Sequence, residues 1–266
     1  MFDSIAGDYD SLNHILSLDV DKIWRKKALK QIVDAPAPAQ VLDLACGTGD
    51  FSIAIAKALS RSHKRVGTPI EAHVKAPAKV PVEAQVTSTG FVTGDSGRSD
   101  LMTKGHVTGV DLSEGMLAVM REKVGKAGLT EMISIEEGDG ENLRFPDNTF
   151  DRVTIAFGIR NFEDRPKGLR EMLRVLKPGG RLVILELSRP ENKVIRWFYD
   201  LYFLHILPKI GGKVSGDKAA YAYLPASVAA FPGKKAFMAT MREAGFRTVT
   251  HKAFTLGICR MYTGEK

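Results

Sequence analysis

One run constrains this chain more than any other: Val41-Leu42-Asp43-Leu44-Ala45-Cys46-Gly47-Thr48-Gly49-Asp50. Gln40–Leu44 reads as a short buried strand, apolar and bounded at once by turn residues. A helix is expected from about Phe51 to Leu59. A strand, a glycine turn and a helix start make up the context in which a nucleotide site is credible. Gly47 and Gly49 let the backbone approach a ligand with no β-carbon in the way. The turn is a poor dinucleotide fingerprint, because the third glycine would fall where Ser52 stands, so a pyrophosphate has a weaker seat. No Gly-Lys-Ser/Thr follows, which excludes the phosphate P-loop.

The rest of the chain repeats the alternation. Val107–Val110, Ile133–Glu136, Arg152–Phe157 and Arg181–Leu187 read as further strands. Ser113 can cap a helix running to about Gly125. Pro166 suits the first turn of a helix ending near Leu176, and Lys177-Pro178-Gly179-Gly180 then stops it. A helix over about Lys234–Ala244, closed at Gly245, precedes strands at Arg247–Ala253 and Ile258–Thr263. The expected fold class is α/β: a doubly wound, mostly parallel seven-stranded sheet, Rossmann-like, with a helical cap. With 266 residues, 44% hydrophobic and 26% charged, the chain is globular in composition, and residues 1–266 are read as a single domain.

Two segments break the rhythm. Ser60–His106 carries Gly, Pro, Ser, Thr and scattered basic residues without a sustained period, where about ten residues would suffice. It is read as an irregular insertion, a solvated surface loop, with a substrate lid or partner-binding arm as the alternative. Residues 191–225 are rich in aromatics (Trp197, Phe198, Tyr199, Tyr202, Phe203, Tyr221, Tyr223) and are read as helices capping the site.

Acids follow three successive strands: Asp43, Asp111 and Asp139. In doubly wound sheets ligands sit beyond the carboxyl ends of the strands, where an acid can accept both ribose hydroxyls. Asp111 holds that place after the second strand, although an Asp before a helix is often only a cap. Asp139, in Glu137-Gly138-Asp139-Gly140, can accept from an adenine amino group. Together the three acids describe a nucleoside pocket without a phosphate clamp. They also suit the amino group and positive sulfonium of S-adenosylmethionine.

The segments Asp43–Asp50, Gly109–Leu117 and Asp139–Asp151 resemble the motifs of class I S-adenosylmethionine-dependent methyltransferases. Phe157-Gly158-Ile159-Arg160-Asn161-Phe162, Arg174-Val175-Leu176-Lys177-Pro178-Gly179-Gly180, Phe2-Asp3-Ser4-Ile5-Ala6 and Tyr9-Asp10-x-Leu12-Asn13 are more specific. With them the chain resembles the ubiquinone/menaquinone biosynthesis C-methyltransferase family. Gly257-Ile258-Cys259 and Tyr262-Thr263-Gly264 bring it nearest to the bacterial demethylmenaquinone methyltransferase branch. The likeness covers nearly everything except Ser60–His106. It implies cofactor contacts at Thr48, Asp111 and the Asp139-Gly140 pair. Ala156 stands where some members carry a serine, so one side-chain contact is missing or made by backbone.

The reaction the resemblance implies is methyl transfer from the sulfonium to a ring carbon of a reduced, hydroxylated quinol, most simply demethylmenaquinol to menaquinol. Ubiquinone-pathway benzoquinol methylation, another small-molecule methyltransferase, and a cofactor-binding scaffold without catalysis are the rivals. A base-amino nucleic-acid methyltransferase is disfavoured, because Ala156–Asn161 replaces its Asn/Asp-Pro-Pro-aromatic motif. The basic excess of +7 is also spread along the chain instead of gathered in one block. Arg160 and Asn161 are the catalytic candidates, with Tyr9 as a third. A guanidinium is a poor base, so Arg160 is expected to stabilise a phenolate, with a salt bridge to Glu163 or Asp164 as the structural alternative. The six histidines show no paired ligand spacing, and no metal is expected. A prenylated demethylquinol is the expected substrate partner. A cytoplasmic enzyme is expected, with peripheral contact to the inner face of the cytoplasmic membrane, a homodimer left open, and no nucleic acid. Two cysteines, Cys46 and Cys259, cannot build a disulfide framework, and no apolar run of about 18 residues exists to span a bilayer.

Overall fold

The computed structural model describes residues 19–34, 39–66, 105–202 and 218–266. Tyr9, the N-terminal motifs, residues 67–104 of the expected insertion and residues 203–217 of the expected cap lie outside them. In chain order the elements are α1 (Val20–Ile32), β1 (Gln40–Leu44), α2 (Asp50–Val66), β2 (His106–Asp111), α3 (Glu114–Lys126), β3 (Ile133–Glu137) and β4 (Phe150–Ala156). After a 3-10 turn at Ile159–Asn161 come α4 (Arg165–Val175), β5 (Leu176–Leu187), α5 (Lys193–Leu201), α6 (Lys218–Ala230), α7 (Lys234–Glu243), β6 (Arg247–Phe254) and β7 (Cys259–Glu265).

The strands form one seven-stranded sheet in the order β3-β2-β1-β4-β5-β7-β6. β1 to β5 run parallel, and β7 inserts antiparallel between β5 and β6. Helices cover both faces because successive strand residues point to opposite sides. Val41, Val107, Val183, Leu185 and Met261 face α1, α2 and α3. Leu42, Leu44, Val153, Ile155, Leu182, Ile184 and Tyr262 face α4 and α7. Burying both faces is what makes Leu182–Leu185 of β5 a continuous apolar run.

Helix starts follow their local chemistry. Ser113 accepts from the Met116 N–H at 3.2 Å and caps α3. Asp164 accepts from the Lys167 N–H at 2.9 Å and caps α4, with Pro166 in the first turn. Gly245 closes α7 at φ 107°, a backbone conformation that suits glycine.

Three expectations change. α2 does not end near Leu59 but continues to Val66, because the first breakers beyond Leu59 are Gly67 and Pro69. Lys177-Pro178-Gly179-Gly180 does end α4 but lies within β5. Pairing begins at Leu176 opposite Phe150, slips, and resumes at Arg181 opposite Arg152. The extra residues form a bulge, with Gly179 at φ 75°. The third change is α1, a helix the sequence reading did not contain. Its buried face is Asp21, Trp24, Ala28 and Ile32, a helical spacing in which only two members are large and apolar. Trp24 Nε1 donates to Thr255 Oγ1 at 2.9 Å and ties α1 to the β6–β7 connection.

Candidate active site

The chain leaves the sheet twice at its centre, after β1 and after β4, and these two strands are neighbours that feed opposite halves. Ala45 and Phe157, the residues that follow them, have φ 48° and 62°. Non-glycine residues in this region are strained, and such strain concentrates at functional sites. A β-carbon on Gly158 would stand 2.4 Å from the Ala45 β-carbon, so glycine is what allows the two turns to meet. The Cys46 N–H donates to the Val110 carbonyl at 3.1 Å and the Phe157 N–H to the Leu185 carbonyl at 2.7 Å. Each turn therefore leans toward its own half of the sheet and a crevice opens between them. It is a cavity of about 450 Å³, lined by Ala45, Gly47, Asp111, Asp139, Gly140, Ala156, Phe157, Asn161, Phe162 and Glu163 among others.

On the β1–β3 side the backbone organises the acids. Asp111 Oδ2 accepts from the Gly47 N–H at 2.8 Å, and its Oδ1 accepts from the Ser113 N–H at 2.9 Å. The carboxylate is thereby fixed by two backbone N–H groups, one from each turn that flanks it. Gly47 reaches this position with φ 56°. Asp139 is exposed at the rim, and its Oδ1 accepts from the Glu141 N–H at 2.8 Å. Gly140 completes the wall, since a β-carbon there would lie 2.6 Å from Phe162 Cζ.

Three expected cofactor residues lie behind this surface instead of on it. Asp43 is buried beneath the turn and accepts from Ser52 Oγ at 2.5 Å. Burial pushes its carboxyl up to about 7, opposed by the Ser52 hydrogen bond. Thr48 is also buried, and Lys123 Nζ donates to its hydroxyl at 3.4 Å while pairing with Asp50. Gly49 packs against α3, where a β-carbon would stand 2.4 Å from Met120 Cγ. These residues shape the turn; Gly47, Asp111, Asp139 and Gly140 form the cavity wall.

The β4–β5 side is built differently. Asn161 lines the cavity and its Oδ1 accepts from the Tyr223 hydroxyl of α6 at 2.8 Å. Arg160, one residue earlier, is buried outside the lining. Its Nη1 pairs with Glu186 Oε1 at 2.8 Å, its N–H donates to Glu186 Oε2 at 3.1 Å, and its Nε donates to Ser227 Oγ at 3.3 Å. Nη1 also donates to the Phe157 carbonyl. The expected alternative partners, Glu163 and Asp164, are thus replaced by Glu186. Glu163 lines the cavity and Asp164 caps α4. Glu186 is wholly buried and takes a third donor, the Leu187 N–H, at 2.8 Å. Sequence reasoning missed it, although one acid in the apolar run Leu182–Leu187 was a visible signal. Ser227 and the role of Tyr223 left no such signal. Among the described residues no group of three or more His, Cys, Asp or Glu is placed to hold a metal, and no helix is long and apolar enough to cross a membrane.

Comparison with known proteins adds the lineage. The model of the ubiE/COQ5 methyltransferase family matches residues 1–266. A demethylmenaquinone methyltransferase of Bacteroides fragilis is 40% identical over 266 residues, covering 100% of this chain and 91% of the relative. A ubiquinone/menaquinone biosynthesis C-methyltransferase UbiE of Geobacter sulfurreducens is 42% identical over 266 residues, covering 100% of this chain and 87% of the relative. Among solved structures, a SAM-dependent methyltransferase of Aquifex aeolicus aligns with TM-score 0.54 at 19% identity, covering 90% of this chain and 88% of that one. The [4+2]-cyclase SpnF aligns with TM-score 0.56 at 16% identity, covering 90% and 80%. At these identities the structures speak for the fold alone: a class I, Rossmann-like sheet.

Proposed function

The chain belongs to the ubiE/COQ5 methyltransferase family, and on that premise we propose how its cavity divides the work of methylating a prenylated quinol. The activity is S-adenosylmethionine-dependent C-methylation in menaquinone biosynthesis, demethylmenaquinol to menaquinol. The observation that carries this reading is the full-length likeness to demethylmenaquinone methyltransferases at about two residues in five.

The cavity fits the methyl donor on its β1–β3 side. Its volume of about 450 Å³ is within the range of small-molecule sites. The fixed Asp111 carboxylate suits a vicinal diol, and the glycine at 47 leaves the backbone open to close approach. Asp139 at the rim suits the exocyclic amine of a base. When bound there, S-adenosylmethionine supplies an electrophilic methyl group on a positive sulfonium.

The acceptor ring then belongs against Asn161, Phe162 and the turn after β4. Carbon methylation needs an electron-rich ring, so the reduced, hydroxylated form is the substrate, and loss of a hydroxyl proton raises electron density at the ortho carbon. Holding the ring carbon in line with the methyl group supplies much of the rate. Arg160 contributes by position: its ion pair with Glu186 and its bonds to Ser227 and the Phe157 carbonyl hold Phe157–Asn161 in shape. The expected insertion Ser60–His106, whose first residues extend α2 and whose last begins β2, is proposed as part of a single methyltransferase domain, with 191–225 as its cap. On α5, Val194, Trp197, Phe198 and Leu201 are exposed at helical spacing, which supports peripheral contact with the inner face of the cytoplasmic membrane, where a prenylated substrate resides.

The test is methyl transfer by the purified protein from labelled S-adenosylmethionine to a panel of demethylated naphthoquinols, benzoquinols and simple phenols. Label in the naphthoquinol at the highest kcat/KM is the expected result. Preference for a benzoquinol would move the enzyme to the ubiquinone-type reaction, and no label in any quinol would overturn the reading.

A further inference from the structure

Two consecutive residues of the turn after β4 are held by one face of α6. Tyr223 donates to Asn161 Oδ1 at 2.8 Å, and Ser227, four residues on, accepts from Arg160 Nε at 3.3 Å. Residues four apart lie on the same face of a helix, so α6 grips the turn as a unit. Glu186 of β5 holds the same turn from the other side, through the Arg160 N–H and guanidinium. Asn161 is the member of this assembly that lines the cavity.

An asparagine amide has two unlike ends, and which end faces a ligand is set by the partner of the other. A tyrosine hydroxyl that donates to Oδ1 leaves the NH₂ group as the end that the Tyr223 bond does not use. We propose that Tyr223 is a positioning residue that fixes the Asn161 amide so that its NH₂ group donates to the acceptor's ring oxygen. The inference rests on the hydroxylated-ring reading above. A ring oxygen that gains negative charge as its proton leaves is better served by a donor than by a carbonyl. If the amide turned over, its carbonyl oxygen would meet the ring oxygen and repel the phenolate. Tyr223 therefore selects for acceptors that present an oxyanion beside the methylated carbon, and it does so without touching them.

The test is a double-mutant cycle between Tyr223→Phe and Asn161→Ala, read on a soluble short-tail demethylmenaquinol. Loss of one preorganised donor to an oxyanion predicts a fall in kcat/KM of roughly 100-fold for Asn161→Ala. Loss of one orienting hydrogen bond predicts about tenfold for Tyr223→Phe in the wild-type background. In the Asn161→Ala background Tyr223→Phe is expected to cost nothing more, because its effect runs through Asn161. S-adenosylmethionine affinity and melting temperature should hold in both single variants. An equal cost in both backgrounds, or none in the wild type, overturns the proposal. Asn161→Asp gives a second arm that does not depend on the folding of a Tyr223 variant. It keeps the acceptor for Tyr223 but replaces the donor by negative charge, so KM for the quinol should rise at least about tenfold with cofactor affinity unchanged. A wild-type KM in Asn161→Asp overturns the proposal. A wild-type protein inactive on every quinol overturns the substrate reading as well and is distinguished by that inactivity.

Discussion

The two walls of the cavity are built on different principles. The β1–β3 wall is backbone: short turns at the ends of parallel strands, with Asp111 and Asp139 each tied to an N–H two residues ahead. The β4–β5 wall is side chain: a buried Arg160–Glu186 pair joined through Ser227, and Asn161 beside it joined through Tyr223, to a helix more than sixty residues away in sequence. A backbone wall can serve any adenosine-like ligand in the same way. A side-chain wall can be rebuilt for each acceptor while the sheet stays as it is.

If the comparison holds, damage to the two walls should read out differently. The largest effect is expected from Glu186→Ala, which leaves the Arg160 guanidinium buried without its carboxylate. Breaking a buried pair on one side costs about 3–5 kcal/mol. Urea unfolding should show that loss, and adding Arg160→Met should recover part of it. A drop below about 1 kcal/mol would mean that the pair is not what holds the turn.

Asp43 offers the next test. Its carboxyl sits near 7 in the folded chain, against an ordinary value of 3.8. The folded protein therefore keeps a proton that the unfolded chain has lost between about pH 4 and 7. Stability should fall as pH rises through that window and level off above it, by up to about 4 kcal/mol. Asp43→Asn should flatten this slope, measured as the unfolding free energy at steps from pH 4 to 8. An unchanged slope would place the titration elsewhere.

Asp111→Ala tests the backbone wall for binding. Leaving the ribose hydroxyls and two N–H groups without their acceptor should weaken S-adenosylmethionine by about 1–3 kcal/mol in calorimetry. Unaltered affinity in a folded variant would remove the ribose assignment. The smallest change is expected from Ser113→Ala, loss of a single helix cap, at about 1 kcal/mol of stability with cofactor affinity nearly kept. A larger loss of affinity than of stability there would show that the cap also sets the Asp111 geometry.

Much of this was legible before any coordinates. The strand at Gln40–Leu44, the cap at Ser113, the succession of strands along the chain and the acids after β2 and β3 all follow from local patterns. Asp111 reaching the Gly47 N–H across 64 residues is long-range, yet it follows from the rule that parallel neighbours bring their carboxyl ends together. α1 was hidden because its buried face carries a charged Asp21 and a small Ala28 beside only two large apolar residues, Trp24 and Ile32. Asp43 lies beneath the turn, a placement the sequence could not show because strand residues alternate and a one-residue difference decides which face a side chain takes.

By itself, the amino-acid order determined the doubly wound sheet, the place of the crevice and the backbone wall that suits a nucleoside. These depend on strand period, turn chemistry and caps, which act over a few residues. Only the tertiary structure decided that Arg160 answers to Glu186 across 26 residues, to Ser227 across 67, and that Asn161 answers to Tyr223 across 62. The reason is physical: a buried polar side chain must find a partner, but which one lies within hydrogen-bond reach depends on how α6 and β5 pack, and no local period encodes that distance.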